Sequence, residues 1–203
     1  MGGRFALMII AVMAAAALAG CVTASNTMSV DEVASLRYAG VNVSFAPDAH
    51  IWWGDGERAY AASKGQPVTA SDELAKTPDG RAYLRNMIAA KVKTAMDRNL
   101  AGALAGARPV RVEVRIKNVT ITSTVQRIIL GGHHHMVADV TLVDARTGAV
   151  LLPHEAQTRV TMAGQGVAAI VDSAIMSDPI DRVINEYADQ YAGWLTRRGG
   201  TPG

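Results

Sequence analysis

The clearest pattern along the chain lies at Pro109–Lys117, where Val110, Val112, Val114 and Ile116 alternate with Arg111, Glu113, Arg115 and Lys117. Side chains on a strand point to opposite faces in turn, so this run predicts a strand with one buried and one wet face. Weaker alternation marks further strands. Val41, Val43 and Phe45 alternate with Asn42 and Ser44 over Gly40–Phe45, and Ala138, Val140 and Leu142 alternate with Asp139 and Thr141 over His135–Val143. After the second of these, Asp144 to Gly148 has turn composition, with Asp144 placed to cap backbone amides and Gly148 to take positive φ. Ala149–Leu152 then returns until Pro153 interrupts it, and Thr158–Met162 offers one more strand. Val125–Leu130 reads as a sheet extension or edge, and Val167–Met176 as a short helix of small residues.

Two stretches carry the helical period. From Pro78 to Leu100, Leu84, Ile88, Val92, Ala95 and Met96 form one stripe, widened by Met87, while Arg85, Lys93 and Asp97 face away. Thr77 is its cap and Pro78 its first residue. The last helix opens at Asp178-Pro179 and aligns Ile180, Val183, Ile184, Tyr187, Ala188, Tyr191 and Leu195. Together these predict an α+β fold: a mainly antiparallel sheet of about 4–5 strands packed against two long amphipathic helices. The stretch from Pro47 to about Val68 has neither period and reads as a long loop holding Trp52 and Trp53.

The front end has a different character. Arg4 is the sole charge before an apolar run, Phe5–Ala19, that is shorter than the roughly 20 residues a helix needs to cross a bilayer. The run ends in Leu18-Ala19-Gly20-Cys21, which resembles the lipobox of bacterial lipoprotein signals. That resemblance implies cleavage between Gly20 and Cys21 and lipidation of the Cys21 thiol, anchoring the chain in a bilayer. Cys21 is the sole cysteine, so no intramolecular disulfide exists to compete for it. In the same signals an aspartate after the cysteine retains the protein at the inner membrane. Val22 occupies that position here, which implies the outer membrane with the body facing the periplasm.

The expected organisation is a signal peptide over 1–20, a lipidated N-terminus and tether over 21–38, one domain over 39–197 and a disordered tail over 198–203. Loss of the signal takes the formal charge from +2 to +1, because Arg4 is the one ionisable side chain removed. A nearly balanced surface argues against nucleic acid as a partner.

Candidate chemistry is sparse. In His133-His134-His135 the first and third share a strand face and the second points away, so at most two meet one ion, whereas zinc sites use three or four protein ligands. His133 and His135 are thus weak metal candidates, with His50 or His154 as conceivable additions, beside the simpler reading of a polar strand entrance. No HExxH is present, Ser173 lacks a G-x-S-x-G setting, and Gly164-Gln165-Gly166 lacks the basic residue of a phosphate loop. No catalytic residue and no cofactor is assigned. Trp52 and Trp53 are candidates for partner contact, against the reading in which one of them packs on the core.

The segment from Ala138 to Leu151, with its Asp144-Ala-Arg-Thr147-Gly148 turn, resembles the central hairpin of envelope lipoprotein families that include the curli-secretion lipoprotein and activators of penicillin-binding proteins. The resemblance implies a non-enzymatic envelope protein that acts by contact with an envelope protein partner. Two other readings stand beside it: a small-ligand or metal-binding lipoprotein, and a cell-envelope hydrolase.

Overall fold

A computed structural model describes residues 25–122, 133–162 and 178–198, with side chains left undescribed at 133 and 156–162. The expected signal with Cys21, the expected strand Val125–Leu130, Ser173, the segment 164–166, the expected helix over 167–176 and residues 199–203 all fall outside the described residues. In chain order the elements are α1 (Val30–Ser35), β1 (Leu36–Trp53), α2 (Gly54–Ser63), a 3-10 turn (Val68–Ala70), α3 (Ser71–Ala75), α4 (Pro78–Leu100), β2 (Arg108–Ile121), β3 (His133–Asp144), β4 (Val150–Met162) and α5 (Pro179–Thr196).

The four strands form one sheet in the order β1-β2-β3-β4. The β2–β3 and β3–β4 pairs are antiparallel. The β1–β2 pair is parallel, because the long α4 crossover between them returns the chain to the end of the sheet from which it started. The α+β expectation holds, with this parallel pair inside an otherwise antiparallel sheet.

One sheet face is apolar and covered by helices. Val110, Val112, Val114 and Ile116 are all at most 1% exposed, as their alternation requires. They pack in one core with Leu84, Ile88, Val92, Ala95, Met96 and Leu100 of α4 and the whole predicted stripe of α5. Burying each of the larger aliphatic side chains contributes about 1.5–3 kcal/mol, which far exceeds the weak intrinsic preference of either helix. Met87 departs from expectation: at 39% exposure it lies outside the stripe. On the opposite face, cations meet anions directly. Lys117 Nζ lies 2.7 Å from Asp139, and Arg111 Nε lies 2.6 Å from Glu113.

The local signals sit where they were read. Thr77 Oγ1 accepts the Gly80 N–H at 3.1 Å, and the Asp178 carboxylate accepts the Ile180 N–H at 3.2 Å. At the β3–β4 turn Asp144 Oδ1 accepts the N–H groups of Arg146 and Thr147, and Gly148 has φ +74. Those backbone donors, helped by Arg108, hold the Asp144 carboxyl below its ordinary range.

Three expectations need correction. Pro153 does not stop a strand: β4 runs through it, with Pro153 opposite Thr141, because β4 is the edge of the sheet among the described residues and an edge strand tolerates proline. The Pro47–Val68 region is ordered as the end of β1, α2 and the start of the 3-10 turn rather than as a loop. The expected tether is folded from Asn26 onward. Asn26 Nδ2 donates to the Trp194 and Leu195 carbonyls (3.2 and 2.9 Å), Arg197 Nη2 donates to the Asn26 and Met28 carbonyls (3.1 and 2.6 Å), and α1 follows with a complete Ser29–Glu32 capping box.

Candidate functional site: a basic cleft at the far end of the sheet

The site begins with an irregularity in β1. Its register against β2 jumps between Phe45↔Ile116 and His50↔Asn118, so Ala46–Ala49 bulge out before pairing resumes. Beyond the bulge, alternation sends the two neighbouring tryptophans apart. Trp53 enters the core at 4% exposure, while Trp52 is half-buried and lines a cleft. Trp53 is therefore withdrawn as a partner contact. Its ring fills the place where a Cβ on Gly56 would stand, so glycine there is what lets α2 fold back over the indole.

The cleft has a volume of about 450 Å³ and is walled by the end of β1, α2, α3 and the first turns of α4. Gly80 sets the angle between the last two, since a Cβ there would overlap the Leu74 carbonyl. Thr77 Oγ1 ties the joint by donating to the same carbonyl at 2.7 Å.

Its charges divide unequally. Asp72 is engaged by Lys76 Nζ at 2.8 Å, which also reaches Glu73 at 2.9 Å. Glu57 is 7% exposed, and burial raises its carboxyl pKa, with the Trp53 backbone N–H pulling the other way. Arg81 donates to the Lys76 carbonyl, and the Arg85 guanidinium lies over the Phe45 ring at 5.5 Å. Among the described residues neither arginine has a carboxylate within ion-pair distance, and Arg85 Nε is buried without a hydrogen-bond partner.

The side chain of His133 lies outside those described, and the other histidines do not converge. His134 is fully buried, its Nδ1 lying 3.5 Å from Thr122 Oγ1, and His135 points to the other face and is half-buried. His154 pairs opposite Val140, five residues along β3 from His135 and so roughly 17 Å away, too far to join it on one ion. It belongs instead to a buried aromatic group, its ring centroid 3.8 Å from Trp194 and 5.5 Å from Tyr191. His50 lies two strands away and lines the basic cleft. Among the described residues no three His, Cys, Asp or Glu side chains gather within reach of one metal ion.

A family model described as "Family of unknown function (DUF6778)" matches residues 79–202, more than half of the chain. The chain belongs to this family. The DUF6778 match takes in Arg81 and Arg85 and leaves Trp52, Glu57 and Lys76 on its N-terminal side. No curated protein matches the sequence. Two solved structures are similar to it. One is a candidate lipoprotein from Caulobacter crescentus CB15, at 18% identity and TM-score 0.33, covering 56% of this chain and 85% of that one. The other is a single-substitution variant of the PelC dodecamer from Paraburkholderia phytofirmans, at 11% identity and TM-score 0.37, covering 79% and 92% respectively.

Glu57, Asp72, Lys76, Arg81 and Arg85 were not foreseen as a group from the sequence. One signal was present. Arg81 and Arg85 stand one helical turn apart, with no acidic residue three or four positions from either, whereas Lys93 on the same helix has Asp97 at i+4.

Proposed function

We propose that this DUF6778 member is a lipid-anchored envelope lipoprotein that faces the periplasm from the outer membrane and works by binding rather than by catalysis. The observation that carries the reading is Leu18-Ala19-Gly20-Cys21 placed just ahead of the folded body. Asn26 is already hydrogen-bonded to the end of α5, so about five residues, roughly 17 Å when extended, separate the anchor from the body. Among the described residues no helix is long and apolar enough to cross a membrane.

The anchored end is the Leu36 end of β1. The cleft lies at the Trp53 end, about thirteen β2 residues or roughly 40 Å away, on the part of the body remote from the proposed anchor. Binding is the proposed mode because the cleft gathers charged side chains and the half-buried Trp52 around a concavity of small-molecule size.

Density-gradient separation of cell envelopes tests the address. The wild-type protein is expected in the outer-membrane fraction, and the Cys21→Ser variant is expected outside both membrane fractions or held as uncleaved precursor. Wild-type protein confined to the soluble fraction overturns the proposal.

A further inference from the structure

We infer that the cleft at the far end of the sheet is a binding site for an organic anion, a molecule with a carboxylate or phosphate held between Arg81 and Arg85 and an apolar body laid against Trp52 and Leu84. This names a ligand class for the binding role proposed above and rests on that reading, but it does not depend on the anchor.

The lining charges do not balance. Of the cations, Lys76 is neutralised by Asp72 and Glu73, while among the described residues Arg81 donates to a carbonyl, Arg85 lies over an aromatic ring and neither has an ion-pair partner. Of the acids, Asp72 is committed to Lys76, and Glu57, whose pKa burial raises, is the other, so three lining cations face two lining carboxylates among the described residues. The cleft thus holds positive charge without a matching anion, in a concavity of the size that takes small molecules. Arg81 and Arg85 lie one turn apart on α4 and so share one face of it. The buried Arg85 Nε has no hydrogen-bond partner among the described residues, and a carboxylate or phosphate oxygen would supply one. The half-buried Trp52 offers a flat apolar wall beside these donors.

Titration calorimetry on the full chain in detergent, with phenyl phosphate, benzoate, inorganic phosphate and phenol as probes, tests the inference. At least one of the two aromatic anions is expected to bind with a Kd below about 1 mM, with phenol and inorganic phosphate each weaker by roughly tenfold or more. The comparison of phenyl phosphate with benzoate separates the two anion chemistries. Arg81→Gln and Arg85→Gln are each expected to weaken the better anion about tenfold, while Lys93→Gln, already paired elsewhere on α4, leaves it unchanged. Circular dichroism of each variant separates loss of binding from loss of fold. Failure of both aromatic anions to bind up to about 10 mM overturns the inference, as does equal binding by the folded double arginine variant. Neither result bears on where Cys21 takes the protein.

Discussion

Gly106→Val is expected to destabilise the protein by about 3 kcal/mol or more and to lower the thermal midpoint by roughly 6–12 °C. Gly106 lies in the connection from α4 to β2, where its N–H donates to the Leu36 carbonyl at 2.7 Å. Beside it Arg37 and Ala105 form an isolated bridge, and Tyr38 donates its N–H to the Leu104 carbonyl at 2.9 Å. This seam fixes the start of β1 against the returning chain and so sets the parallel register with β2. A Cβ at position 106 would overlap the Ser35 carbonyl group and the Ala34 oxygen, backbone atoms that cannot rotate aside as a side chain could. Gly102, four residues earlier, has no described atom within 4 Å of where its Cβ would stand, so Gly102→Ala is expected to change stability by less than about 0.5 kcal/mol. Denaturation of both variants by circular dichroism checks the pair, and a Gly106→Val midpoint equal to wild type contradicts this role for the seam.

The second large effect is one of pH. His154 is 5% exposed, stacked among Tyr191 and Trp194, and burial depresses its pKa to about 4. An unfolded histidine titrates near about 6.5, so between these values the unfolded chain binds more protons than the folded one and stability rises with pH. The folded state is fully favoured above about pH 6.5 and loses about 3 kcal/mol as pH falls to about 4, below which both states are protonated and the loss stops growing. Glu57 and Asp178, whose pKa values burial raises, act in the opposite sense and favour the folded state at low pH. His154→Phe separates the contributions. The stability difference between this variant and wild type is expected to shift by about 3 kcal/mol in the variant's favour from pH 7 to pH 4. A difference that does not vary with pH contradicts the assignment.

Where one face of an element is buried and the other wet, the chain declares it. β2, the stripe of α5 and the Asp144–Gly148 turn were legible because each depends on residues close together in sequence. The start and end of β1 were not. The Ala46–Ala49 bulge breaks its alternation, and Gly56 in α2 looks like a helix breaker until the Trp53 ring it accommodates is known. β4 was divided at Pro153 because sequence does not tell an edge strand from a central one. The cleft was hidden for a similar reason: its groups come from β1, α2, α3 and α4, and what marks them is which charges go unpaired after folding. Trp52 was singled out on sequence and lines the cleft. Trp53, its neighbour, belongs to the core.

Cys21 carries the central claim, since the proposed address and the placing of the cleft remote from the bilayer both follow from an anchor at that residue. Mass spectrometry of the N-terminal peptide from protein extracted from membranes is the most direct measurement. The peptide is expected to begin at Cys21, to lack residues 1–20 and to carry the added mass of a diacylglycerol and an acyl chain. A peptide that retains residues 1–20, or one that begins elsewhere with an unmodified Cys21, would contradict it.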